Sequence, residues 1–266
     1  MCLKLCVLAS GSSGNCTYVA SEKTALLIDA GLSAKRTVQK LAAIHVLPEH
    51  IQGICVTHEH SDHTAGLGVL QRRHNMSLFA NSGTIQGFNQ RRKGAELDWT
   101  IFESGSTFTI GDLTIEPFSV PHDAYDPVGY VIQCETSRVG VVTDMGMVTQ
   151  LIREKLRTCH ALVVESNHDE RLLQECSRPW NLKKRIAGRQ GHLSNKHAAA
   201  LLTDIAHADL HRVFLAHLSS DCNMHDIALS ETTHALRAAG HKHIRVSCCS
   251  AEEISEMWSC ALPVKE

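Results

Sequence analysis

Residues 57–63 read Thr-His-Glu-His-Ser-Asp-His and follow directly on the apolar run IQGICV (51–56). In extended backbone, side chains two positions apart point to the same side, so His58 and His60 can converge on one cation. Asp62 and His63 stand where TAGLGVLQ (64–71) predicts a helix, and the turn into it lets both swing toward a second cation. Three imidazoles and a carboxylate at this spacing are a strong metal signal. Further ligands should come from other strand ends, where rigid backbone can hold a side chain over a shared cleft. His122 in FSVPHD, Asp144 in VVTDMG and His217 in VFLAHLSS each close an apolar run. Taken alone, such residues would read as turn or capping positions. Asp29 in LLIDAG has two readings, an N-cap or turn before Ser33 or a partner that orients a ligating imidazole.

The remaining chain frames this motif. Its 266 residues show no break in composition, linker or repeat, so a single domain over 1–266 is expected. A net charge of −2 offers no global field for nucleic acid, and a polyanion would have to be held locally. Histidine, at 18, is the outlier. Eleven cysteines without a CxxC pair read as reduced thiols. The apolar run Leu5–Ala9 is shorter than a signal peptide needs, and no run approaches the ~18 residues of a membrane span. A cytoplasmic protein with no membrane partner is therefore expected. Helices are predicted over Ser33–His45, Val148–Arg157, Asn195–Ala206 and Asp226–Ala239. SLFA, STFTI, LTIEPFSV, PVGYVIQC and RVGVVTDMG read as a largely antiparallel series, while ALVVES, RVFLAH and HIRVSCC alternate with helices. The expected class is α/β, with two mixed β-sheets covered by helices.

The ordered set LLIDAG, THEHSDH, VPHD, VTDMG, LAHLSS resembles the five motifs of the metallo-β-lactamase fold, an αββα sandwich that carries dinuclear hydrolases. The resemblance implies that His58, His60 and His122 hold one ion, that Asp62, His63 and His217 hold the other, and that Asp144 bridges them. Antibiotic hydrolases of the commonest class carry cysteine at the bridging position, and flavodiiron oxygen reducers replace the second histidine of the motif with a carboxylate. The intervals between motifs leave no room for a tRNA-gripping arm or for an inserted nucleic-acid domain. LASGSSGN, ESNHD and GHLSN, together with LAHLSS, are similar to the YycJ (WalJ) group, regarded as 5′-to-3′ DNA exonucleases in DNA repair. That resemblance implies a metal-dependent phosphodiesterase with DNA as partner, attacking through a hydroxide shared by the metals. Simple thioester or cyclic phosphodiester hydrolysis is the alternative, and a non-catalytic metal-stabilised protein is a further one.

Two divalent ions, two aspartates and a shared hydroxide sum to about +1, which favours a phosphate locally. RPWNLKKRIAGRQGHLSN places Arg178, Lys183, Lys184, Arg185 and Arg189 just before His192. This run reads equally as a strip of phosphate contacts or as a solvated helix face. Trp180 could stack on a base, although a single helical tryptophan is more often core. SGSSGN could cradle a phosphate or simply form a turn. Asp62 is expected to orient the nucleophile or accept its proton. His192 is the expected proton donor to the leaving oxygen, by resemblance to tRNA-processing relatives, against a plain helix N-terminal role. Glu165, Asn167 and His168 are expected near substrate or His192. Five imidazoles and two carboxylates without a thiolate accept zinc, manganese or iron.

Overall fold

The computed structural model describes residues 3–92 and 96–260. Its first half carries β1 (Lys4–Ala9), β2 (Cys16–Ala20), β3 (Ala25–Ile28), α1 (Ala34–Ala43), β4 (Ile51–Cys55), α2 (Ser61–Thr64), α3 (Leu67–His74), β5 (Ser77–Ala80), α4 (Ser82–Arg91) and β6 (Trp99–Ile101). The second half carries β7 (Phe108–Ile110), β8 (Leu113–Ser119), β9 (Val128–Cys134), β10 (Ser137–Val142), α5 (Gln150–Leu156), β11 (Ala161–Glu165), α6 (Glu170–Glu175), α7 (Trp180–Ile186), α8 (Asn195–Ile205), β12 (Arg212–Ala216), α9 (His225–Ala238), β13 (Arg245–Cys248) and β14 (Trp258–Ser259). Two seven-stranded sheets result, in the orders β14-β1-β2-β3-β4-β5-β6 and β13-β12-β11-β10-β9-β8-β7.

The period-two rule explains why so many strands read as unbroken apolar runs. In β1, Leu5 and Val7 join the core between the sheets, while Cys6 and Leu8 join a second core under the helices of the first sheet. A third core, including Val142, Val164, Leu202 and Leu215, lies under α5, α8 and α9. With helices outside both sheets, each sheet is buried on two faces. The sandwich is thus the expected two mixed sheets covered by helices.

Helix starts follow their capping residues. Ser33, Thr149 and Ser194 each accept a hydrogen bond from the backbone N–H three positions on, opening α1, α5 and α8. The expected antiparallel series requires one correction. β5, the SLFA strand, pairs in parallel with both β4 and β6, because α3 and α4 supply crossovers that a hairpin reading omits. The series β7 to β10 is antiparallel as expected. The helix expected from TAGLGVLQ is divided into α2 and α3, with Gly66 capping the latter.

Two bonds between sheets set the position of the motif loop. Tyr130 on β9 donates its hydroxyl to the Val56 carbonyl at 2.6 Å, and the Val128 N–H donates to the Thr57 carbonyl at 3.1 Å. The C-terminal ends of β3, β4, β8, β10, β11 and β12 consequently open on one edge of the sandwich.

Candidate metal centre

Three residues at that edge have left-handed backbone: Asp29 (φ 62°), Asp144 (φ 56°) and His217 (φ 55°). Such a φ is uncommon outside glycine and its cost is retained where surrounding structure enforces it. Here it turns each strand end sharply, so that side chains leaving β3, β10 and β12 face the loop after β4.

That loop is held from below. Asn15 accepts the Gly31 N–H and donates its own N–H to the Asp62 carbonyl at 2.8 Å. Its side-chain amide reaches Asp62 Oδ2 at 3.3 Å and His63 Nε2 at 3.1 Å. At Gly31 a Cβ would stand 1.5 Å from the Asp62 carbonyl oxygen, so no other residue permits this approach.

The sequence motif and the distant strand ends meet around one cleft. His58, His60 and His122 present ligand atoms within 4.8 Å of one another, as do Asp62, His63 and His217, and as do His58, His63 and Asp144. Asp144 lies between the two histidine sets, with Oδ2 3.2 Å from His63 Nε2 and Oδ1 3.4 Å from His217 Nδ1 and 3.8 Å from His122 Nε2.

Four of the five imidazoles have Nδ1 beside an oxygen. His63 Nδ1 is 2.7 Å from Asp29 Oδ2, His217 Nδ1 2.9 Å from Glu165 Oε1, His122 Nδ1 3.1 Å from the Gly191 carbonyl and His58 Nδ1 3.0 Å from Thr57 Oγ1. Nδ1–H donation to these oxygens leaves the Nε2 lone pairs free to converge, the arrangement that orients metal-binding histidines. His60 instead turns Nδ1 to within 3.4 Å of His122 Nε2. The buried atoms His58 Nε2, His217 Nε2 and Asp144 Oδ2 have no hydrogen-bond partner. The 3.2 Å between Asp144 Oδ2 and His63 therefore lacks hydrogen-bond alignment. Buried polar atoms are rarely left unsatisfied, and three acceptors aimed into one space fit cations.

The charge balance agrees. Burial would raise the Asp62 carboxyl, but the His63 charge and contacts from His217 and His63 hold it well below the carboxylate range. Asp144 is depressed likewise against its burial, by His217 and His63. Conversely, burial would lower His63 and His217, yet the neighbouring carboxylates hold both well above the usual histidine value. Without ions, two imidazoliums thus supply the positive charge these carboxylates demand. His60 is pushed down to about 4 by burial, the His122 charge and Arg91, so it is neutral and able to ligate.

His192 lines the cleft, with Nδ1 2.8 Å from Glu165 Oε1. Glu165 is fully buried, and its second oxygen accepts the Met145 and Leu193 N–H groups at 2.9 and 3.0 Å. It therefore anchors His192 and His217 together, with its oxygens already occupied. Asn167 lines the cleft and donates to the His217 carbonyl at 2.8 Å. His168 is buried, bridges to Ser194 and stands outside the cleft lining. Asp29 also stays behind the cleft, bonded to Thr57 and His63.

The basic strip divides. Arg178 and Arg185 line the cleft, paired with Asp221 and Asp123 respectively. Arg189 lines an adjoining groove with Met147 and Gln190. Lys183 donates to the Gln174 carbonyl and Lys184 lies over the Trp180 ring, neither in the cleft lining. Trp180 is 60% exposed, so the core reading of that residue does not hold. SGSSGN forms a turn between β1 and β2, yet Ser12 also reaches the cleft. Sequence reasoning passed over Thr57, Asn15 and Ser10, which orient ligand side chains or backbone. All three stand inside quoted motifs. Nothing in SGSSGN marks the role of Ser10, which accepts the His217 N–H across 207 positions.

A model of the β-lactamase superfamily domain matches residues 24–218. This chain belongs to the metallo-β-lactamase superfamily. It is 37% identical over 241 residues to exodeoxyribonuclease YycJ of Bacillus anthracis, covering 90% of this chain and 91% of the relative. It is 39% identical over 228 residues to exodeoxyribonuclease WalJ of Streptococcus pneumoniae, covering 85% of each. Within the superfamily it therefore stands with the YycJ/WalJ proteins. The fold agrees with the crystal structure of the metallo-β-lactamase fold protein YhfI from Bacillus subtilis, at a TM-score of 0.75 and 16% identity over 98% of this chain and all of the other. Membership of this superfamily, together with the orphaned histidine and aspartate atoms at this edge, points to divalent metal ions. No described helix is long and apolar enough to cross a membrane.

Proposed function

We propose that this chain is a 5′-to-3′ DNA exonuclease acting in DNA repair in the cytoplasm, as one domain over residues 1–266. The observation that carries the reading is the convergence of seven ligand-type side chains beside a cleft of about 230 Å3. That volume is below the roughly 300–1,000 Å3 of small-molecule pockets. It admits a phosphodiester with its bases outside. The relatives named exodeoxyribonucleases support DNA as substrate.

His58, His60 and His122 would hold one divalent ion and Asp62, His63 and His217 a second, with Asp144 shared; zinc or manganese suits this donor set, and iron also fits. When bound, the pair supplies Lewis acidity to the phosphoryl oxygens and lowers the pKa of water at the site. Asp62 orients the attacking water or accepts its proton. Arg178 and Arg185 hold the flanking phosphates, and Arg189 continues the track along the adjoining groove. Lys183 and Lys184 act only as outer charge, while exposed Trp180 offers a stacking face for an unpaired base. Glu165 fixes His192 through Nδ1, so that its other nitrogen delivers a proton to the departing 3′ oxygen. Asn167 secures the His217 backbone beside it, with His168 behind, and Asp29 aligns His63.

Duplex DNA labelled at the 5′ end should release labelled mononucleotide, with the rate falling as salt rises and lost in His60→Ala. Rapid thioester turnover with intact DNA would overturn the assignment. His192→Ala should lower kcat on DNA by about 10²–10⁴, the range of a lost general acid. On a p-nitrophenyl nucleotide ester, whose leaving group needs no proton, the loss should shrink to less than about tenfold. An equal loss on both substrates would remove the donor role.

A further inference from the structure

Outside the metal chemistry, Cys176 and Cys222 bring their sulfurs to 3.2 Å, although they stand 46 positions apart. Both are free thiols. Cys176 caps the C-terminus of α6 and is half-buried, whereas Cys222, in the loop after β12, is buried. Cys222 packs with Leu173 and Ile186, and Cys176 and Leu182 close over this small apolar cluster. The Arg178–Asp221 pair, 2.7 Å apart, flanks it. No third metal-ligating side chain joins the two sulfurs among the described residues, so a metal site is not formed there.

We propose that Cys176 and Cys222 are a reversible disulfide site that reacts with low-molecular-weight disulfides. Closing the bond needs the sulfurs to approach from 3.2 Å to about 2.05 Å, a movement of side chains rather than of elements. Cys176 is the attacking residue, because it is the more accessible. Burial raises its thiol, but the Arg178 backbone N–H, the Cys222 thiol and the Lys183 and Arg178 charges together hold it below the usual cysteine value. Its thiolate attacks one sulfur of the reagent and expels one thiolate, which takes up the proton Cys176 released. Cys222 then loses its proton and attacks Cys176 Sγ, expelling the second thiol. Two electrons and two protons leave the protein, the reagent's S–S bond is reduced to two thiols, and one protein S–S bond is made.

The cross-link would join two walls of the cleft. Arg178, Leu182 and Ile186 line it from the α7 side and Ser219 from the β12 side. In the reduced protein the apolar cluster, the Arg178–Asp221 ion pair and the Asp169 N–H to Cys222 carbonyl hydrogen bond hold these walls without a covalent link. In the oxidised protein a covalent bond ties them.

The test uses full-length, metal-loaded protein and oxidised glutathione. Peptide mapping without reductant should find the Cys176 and Cys222 peptides joined, two hydrogens lighter than the free pair. Closing a loop of this length should raise the melting temperature by about 5–10 °C, reversed by dithiothreitol and absent in Cys176→Ser. Cys222→Ser should trap glutathione on Cys176, and the wild-type map stands should that variant fold poorly. Both thiols remaining free for alkylation after the treatment, or a glutathione adduct on Cys176 that persists in the wild type, would overturn the proposal. Neither readout depends on nuclease activity.

Discussion

Asp144→Asn is expected to lower kcat/KM on DNA by at least about 10³, equivalent to roughly 4 kcal/mol of lost transition-state stabilisation. Bound metal should fall from near two equivalents to one or fewer. Asp144 is buried and stands within 3.2–3.8 Å of nitrogens from His63, His217 and His122. It is the carboxylate that both histidine sets share. On the proposed assignment, removing its charge would leave Asp62 as the one anionic ligand for two divalent ions, with the repulsion between them poorly neutralised. Asparagine is the informative replacement because residue 144 has φ 56°, a conformation asparagine tolerates and alanine resists. Any loss in Asp144→Asn therefore reports charge rather than backbone strain. Elemental analysis beside initial rates checks it. A variant that retains two metal equivalents and more than a tenth of the rate would sink the shared-ligand role.

Chelation should lower the melting temperature by roughly 10 °C. A ligand present at about 1,000 times its Kd contributes about 4 kcal/mol to folding, and each kcal/mol is worth about 2–4 °C in a chain of this size. The physical source is specific. With ions removed, Asp62 and Asp144 face only the charge that His63 and His217 can gain by protonation. The orphaned acceptors on His58 and Asp144 are also left unmatched. Scanning fluorimetry before and after chelator, then with added zinc or manganese, measures the drop and its recovery. An unchanged melting curve, with metal loss verified, would show that the cluster is self-sufficient.

How far the linear chain could be read differs by element. β1, β3 and β11 were visible because strands buried on both faces must be apolar throughout. The capped helices α1, α5 and α8 were visible because their N-terminal hydroxyl residues are local signals. SLFA, by contrast, is four residues long, and its parallel partners are chosen by the helices on either side. Trp180 shows the same limit from the other direction. Its aromatic ring is exposed on α7 and carries Lys184 above it, which no composition rule distinguishes from a buried ring.

Four of the seven candidate ligands were legible because metal chemistry constrains residue type within the THEHSDH cluster; His122, Asp144 and His217 close apolar runs, but only that cluster and the order of the motifs single them out. Two sheets covered by helices followed from the alternation of buried strands and amphipathic helices, whereas the αββα order was implied by the resemblance of the five motifs. The tertiary structure alone decided which nitrogen each imidazole offers, since that depends on Asp29, Glu165, Thr57 and the Gly191 carbonyl arriving from elsewhere. It alone separated Arg178 and Arg185, in the cleft, from Lys183 and Lys184, outside it. It also set Cys176 beside Cys222. Side-chain direction and contacts across many residues arise from packing between elements, and a chain written in one dimension carries no local mark of them.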